Sequence, residues 1–91
     1  MKSIRAHVFI FGRVQGVFFR ANTLEKAREL GLTGWVRNIR TGEVEAVFEG
    51  GEKKVKKMLE WCKKGPPASR VDKIETKLYE YKGEFDNFQI K

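Results

Sequence analysis

The chain has 91 residues, enough for one domain built on a single modest core. Its hydrophobic share of 41% excludes a disordered composition, and no stretch approaches the roughly 20 apolar residues of a membrane span. The net charge of +7 admits nucleic acid, an acidic membrane face or a small anionic ligand, and charge alone does not choose among them.

Ser3 to Phe11 alternates, with Ile4, Ala6, Val8 and Ile10 on one face and Arg5, His7, Phe9 and Phe11 on the other. That period of two predicts a strand, which Gly12 is expected to stop. From about Phe19 to Leu30, Ala21, Leu24, Ala27 or Arg28, and Leu30 fall at helical spacing, and Gly31 suits the position just past a helix end. Two strands then flank the Thr41-Gly42 turn: Trp35, Val36 and Ile39 before it, and Val44, Ala46 and Phe48 after it, alternating with Glu43, Glu45 and Glu49. The glutamates predict a solvent-exposed face and an antiparallel sheet covered on its other side only.

"EKKVKKMLEWCKK" predicts a second helix, with Val55, Met58, Leu59 and Cys62 on one stripe and lysines opposite, ended by Gly65 and Pro66-Pro67. Arg70 to Tyr81 alternates enough for a long strand, and "FDNFQIK" adds a short one. The order is β-α-β-β-α-β. It predicts an α/β (α+β) ferredoxin-like sandwich, two helices on one face of an antiparallel sheet, as one domain over 1–91.

The stretch "GRVQGVFFR", Gly12 to Arg20, joins the first strand to the first helix. Its amides therefore lie beside a helix N-terminus, which carries unpaired N–H groups and about half a unit of positive charge. Gly12 and Gly16 permit turns that aim several N–H groups into one concavity, a nest for an anion. Arg20, in the first helical turn, opposes the helix dipole unless an anion sits between them. A Walker loop needs Lys-Ser/Thr after its last glycine, whereas Gly16 is followed by Val17 and Phe18. Thiol phosphatases place a cysteine six residues before the loop arginine, where this chain has Val14. Such a loop holds a phosphate but cannot attack it, so water must. The plainer reading stays open: a tight connection between strand and helix, with Arg20 a surface residue.

Asn38 stands among apolar strand residues just before Thr41-Gly42, an unusual place for an asparagine. It either forms the turn with its own backbone or holds a water by donor and acceptor together. An amide is no base, so the second role needs a substrate that takes the proton itself.

"GRVQGVFFR", followed by "LGLTGWVRNIRTGEVEAVFEG", "MLEWCKKGPPASRVDKIE" and "DNFQI", strongly resembles the acylphosphatases over nearly the whole chain. The resemblance implies hydrolysis of acyl phosphates to a carboxylate and inorganic phosphate, without metal or cofactor. It places the phosphate-binding arginine at Arg20, the water-positioning asparagine at Asn38, and the phosphate cradle on the amides of Gln15, Gly16, Val17, Phe18 and Phe19. The family often has an aspartate where this chain has Thr41, a departure that touches only the turn. In relatives a C-terminal carboxylate can pair with the catalytic arginine, which would give Lys91 a part in aiming Arg20.

The remaining residues read as structural. His7 suits a surface or sheet-packing role, and Cys62 a core position. Trp35, Phe18, Phe19 and Trp61 read as packing residues, and the lysine pairs at 53–54, 56–57 and 63–64 as a solvated helix face. One histidine and one cysteine far apart exclude a zinc site. The lone cysteine fits a reducing compartment, and Lys2 and Arg5 break any signal-peptide run, so a cytoplasmic protein is expected. The abundance of Lys and Glu, with glutamine only at 15 and 89, leans towards a heat-adapted, thermostable protein. The expected partner is a small acyl phosphate, with no nucleic acid or membrane, and the protein a monomer or weak dimer.

Two other readings compete. RNA-recognition modules share this element order, but need an aromatic-rich third strand where this chain reads "EVEAVFEG". An acylphosphatase-like domain can also serve as a carbamoyl-phosphate module of a larger maturation enzyme; a 91-residue chain from Met1 is expected to stand alone.

Overall fold

Apolar alternation at the N-terminus builds β1 (Ser3–Arg13), an interior strand of the sheet in the computed structural model, which describes residues 2–91. There follow α1 (Phe19–Glu29), β2 (Thr33–Asn38), β3 (Val44–Gly51), α2 (Glu52–Lys64), β4 (Arg70–Glu80) and β5 (Phe88–Ile90). The expected β-α-β-β-α-β order is present, with β5 as the short addition.

The sheet runs β4-β1-β3-β2-β5. Every neighbouring pair is antiparallel except β2 and β5, which are parallel. The sheet is therefore mixed, where a purely antiparallel one was expected. Topology explains the difference. β4 ends at the edge of the sheet where β2 begins, so segment 81–87 crosses along that edge and starts β5 in the direction of β2.

Ile4, Ala6, Val8 and Ile10 of β1, Val36 of β2, and Val44, Ala46 and Phe48 of β3 are all buried. They meet Val55, Met58 and Cys62 of α2 and Phe19 and Ala27 of α1 in one core. Phe48 stacks on Phe88 of β5 with centroids 5.5 Å apart, which fastens the short strand to the core. Burial of this kind, worth about 25 cal/mol per Å² of apolar area, is what holds a domain so small. α2 has the predicted bounds and stripe, its lysine pairs are exposed, and burial pushes the Cys62 thiol up.

α1 departs from the predicted stripe. Phe19, Thr23 and Ala27 are its buried residues, spaced i, i+4, i+8, while Ala21 is exposed and Leu24 and Leu30 are half-buried. Thr23 is tolerated inside because its hydroxyl donates to the Phe19 carbonyl at 2.7 Å.

Gly12 does not stop β1, which continues to Arg13 with a register shift against β4 at Phe11 and Gly12. A Cβ at Gly12 would lie 2.1 Å from the Arg70 carbonyl oxygen, so glycine is what lets β4 approach.

The face away from the helices also departs from expectation. Glu45 and Glu49 are only 6% and 0% exposed, not solvated. Glu45 accepts from His7 Nε2 and Arg37 Nε, each at 2.7 Å. Glu49 accepts from Arg5 at 3.3 Å and from the Lys82 backbone N–H at 2.9 Å, and Arg5 also pairs with Glu84. Burial raises the Glu45 carboxyl, but hydrogen bonds from His7 and Arg37 and their positive charge outweigh it and hold it below its usual value. Carboxylates can sit in a sheet face when neighbouring strands bring donors to them.

Candidate active site

β1, β2 and β5 run the same way across the sheet, so their C-terminal ends share one edge. The loop leaving β1, Asn38 at the end of β2 and Ile90 at the end of β5 meet there. They enclose a cleft of about 340 Å³ lined by Val14, Gly16, Phe18, Phe19, Arg20, Ala21, Asn38 and Ile90. Of the residues singled out in sequence, Gly16, Phe18, Phe19, Arg20 and Asn38 line the cleft together. Gln15 and Val17 do not.

Val17 is 7% exposed and anchors the loop in the core. Gln15 points its side chain sideways: Nε2 donates to the carbonyls of Ile39 at 2.7 Å and Glu43 at 3.0 Å. These carbonyls flank the turn after Asn38, so Gln15 ties the loop to the strand end that carries the asparagine. Thr41 holds the same turn through its hydroxyl, which donates to Glu43 Oε2 at 2.8 Å. Sequence reasoning named Gln15 only for its main-chain N–H. The one available signal was a long amide side chain in an otherwise apolar loop.

Gly16 and Phe18 both have left-handed backbones, with φ of 74° and 63°. Phe18 is the residue that caps α1, and the first helical bond runs from the Asn22 N–H to the Phe18 carbonyl at 3.1 Å. The N–H groups of Phe19, Arg20 and Ala21 thus lack helical acceptors, at the positive end of the helix dipole. No acidic residue in the first turn balances that end. Phe18 was expected to pack; instead it is 78% exposed, because the left-handed turn swings its ring out of the core.

Arg20 is exposed and forms no ion pair among the described residues. Lys91 lies beside β2: its N–H donates to the Val36 carbonyl at 2.9 Å and its Nζ sits 4.9 Å from the Trp35 ring centroid. Asn38 is half-buried, and its Oδ1 is buried without a hydrogen-bond partner among the described residues. A buried acceptor left unmatched costs about 1–3 kcal/mol. It is therefore an acceptor in want of a donor, on a residue that lines the cleft.

A second depression of about 310 Å³, beside Trp35, has Glu84, Asp86 and Lys91 in its wall, two acidic side chains against one ammonium, a balance that suits an anion less well than the cleft does. Among the described residues, no three His, Cys, Asp or Glu side chains are grouped to hold a metal ion.

A ferredoxin-like sandwich with helix-end donors, a guanidinium and an unmatched amide oxygen around one cleft has the build of a small phosphoryl-group hydrolase. The chain belongs to the acylphosphatase family, whose family model matches residues 6–90. It is accordingly a hydrolase acting on acyl phosphates. It is 56% identical to an acylphosphatase of Syntrophobacter fumaroxidans over 90 residues, covering 99% of this chain and 93% of that one. A solved acylphosphatase from Coxiella burnetii matches with a TM-score of 0.93 at 36% identity, over 99% of this chain and 94% of that one. Full-length HypF, solved in a phosphate- and nucleotide-bound form, matches with a TM-score of 0.82 at 30% identity. That match covers 100% of this chain but 12% of the HypF chain.

Proposed function

We propose that the phosphoryl group of an acyl phosphate is held by the 15–19 loop amides and the Arg20 guanidinium, and attacked by a water positioned on Asn38. The observation that carries this reading is that Asn38, whose Oδ1 has no partner among the described residues, and Arg20 line the same cleft. Oδ1 accepts a hydrogen bond from the water and leaves an oxygen lone pair free to face phosphorus.

Attack forms a bond from water oxygen to phosphorus as the bond to the acyl oxygen breaks. The bonding pair leaves with the carboxylate, and the water proton passes to a phosphoryl oxygen. A carboxylate leaves readily, so no general acid is needed. The transition state is loose and its charge lies on the equatorial oxygens, which places most of the work on positioning and fixed positive charge. Main-chain N–H groups at a helix end and a guanidinium supply both, without reorganising during reaction.

The reading extends to a small acyl phosphate as the partner of a single domain over 1–91, cytoplasmic, heat-tolerant, and a monomer or weak dimer. Exposed Arg70, Asp72, Lys73, Glu75 and Lys77 along the β4 edge support the last point, since charge discourages strand pairing. Neutralisation of Arg5 and Arg37 by buried glutamates argues against a nucleic-acid partner on the sheet.

The test is phosphate release from benzoyl phosphate with chelator present, for the native chain and the Arg20→Ala and Asn38→Ala variants. Activity is expected in the native chain, with large losses in both variants. A folded variant with near-native turnover removes that residue from the mechanism.

A further inference from the structure

Phe18 combines two unfavourable features. It is the only non-glycine residue with positive φ among the described residues, at 63°, and its ring is 78% exposed. A bulky side chain is disfavoured in the left-handed region, and a side chain so exposed gains little from the core. Strain of this kind persists where a site uses it.

The ring lines the same cleft as Arg20 and Asn38. Ala21 and Ile90, the latter 41% exposed, add further apolar surface to that cleft. A phosphate cradle has no use for an apolar wall. The other half of the substrate does.

We propose that Phe18, with Ile90, binds the hydrocarbon part of the acyl group and makes the enzyme selective for aromatic or branched apolar acyl phosphates over acetyl phosphate. The proposal rests on the reading that the phosphoryl group occupies the 15–19 amides and Arg20. Phosphate is gripped there by main-chain groups, which every residue but proline supplies at position 18. The ring is therefore free to discriminate acyl groups without altering the kind of donor beneath it. An aromatic acyl group gains ring-to-ring contact with Phe18, whereas a lone methyl offers little area to cover.

The experiment compares kcat/KM for benzoyl phosphate with kcat/KM for acetyl phosphate, as a ratio, in the native chain, Phe18→Gly, Phe18→Leu and Ile90→Ala. Taking the ratio against the native chain cancels the intrinsic reactivity of the two substrates and any shared change in the cradle. Glycine accepts the left-handed backbone, so Phe18→Gly removes the ring without adding strain. The ratio is expected to fall about tenfold in Phe18→Gly, and by less in Phe18→Leu and Ile90→Ala. A ratio unchanged to within about twofold in Phe18→Gly overturns the proposal while leaving the phosphoryl site intact. A native chain that hydrolyses neither substrate overturns the underlying reading as well, an outcome distinct from an unchanged ratio.

Discussion

The side-chain amide of Gln15 donates to the Ile39 carbonyl at 2.7 Å, joining the loop after β1 to the end of β2 across 24 residues of sequence. The two halves of the cleft are thus fixed to each other by a side chain that does not line it. Gln15→Ala removes this bond and the 3.0 Å bond to Glu43. A loss of about 1–2 kcal/mol in denaturant unfolding is expected, with kcat falling about tenfold and KM changing less. Unchanged kcat in the folded variant would deny Gln15 a positioning role.

Arg20 and Asn38 are predicted to fail differently. Arg20→Ala is expected to lower both affinity for phosphate and turnover, and Asn38→Ala chiefly turnover, each by ~10² or more. Asn38→Ala also deletes a buried, unmatched acceptor. Its stability is expected to stay level or rise by up to ~1 kcal/mol, a gain that a purely structural asparagine would not give. Steady-state kinetics paired with urea unfolding separate the two readings.

Glu45 makes stability sensitive to acid. Its carboxyl is held below the usual 4.5 in the folded chain. A depressed folded value favours the folded state above the unfolded one. That contribution is full at neutral pH and disappears as pH falls below about 4.5 through the lowered folded value. Glu45→Gln is expected to lower the urea midpoint at neutral pH and to flatten its decline in acid. A parallel acid decline in the variant and the native chain would remove Glu45 as the source.

Gly12→Ala is predicted to be among the most damaging single substitutions in the chain. The added methyl would stand 2.1 Å from the Arg70 carbonyl oxygen, on a backbone with φ of 133°. A loss of at least about 2 kcal/mol is expected in thermal or urea unfolding. Gly16→Ala meets nothing within 4 Å and strains only the φ of 74°, so its loss should be smaller.

Local chemistry was easier to read than chemistry shared between strands. The bounds of α2 were plain because one unbroken apolar stripe ends at Gly65. The strand pattern of β1 was plain for the same reason. Glu45 and Glu49 were misread because period-two reasoning sends every charge to solvent. Their partners Arg5, His7 and Arg37 lie on other strands, and only the sheet register brings them together. Thr23 was missed because its hydroxyl is satisfied within its own helix. Within the cleft, Arg20 and Asn38 stood out by residue type, whereas the side chain of Gln15 did not, its acceptors being remote. Phe18 misled for a backbone reason: hydrophobicity says where a side chain prefers to be, and a left-handed turn decided where it is.

That left-handed turn sets two demands of the molecule against each other at a single position. A phenylalanine there forgoes roughly 1–2 kcal/mol that glycine would keep. Variants selected only for survival at high temperature should therefore drift towards glycine or asparagine at position 18, and with each such change become more indiscriminate catalysts.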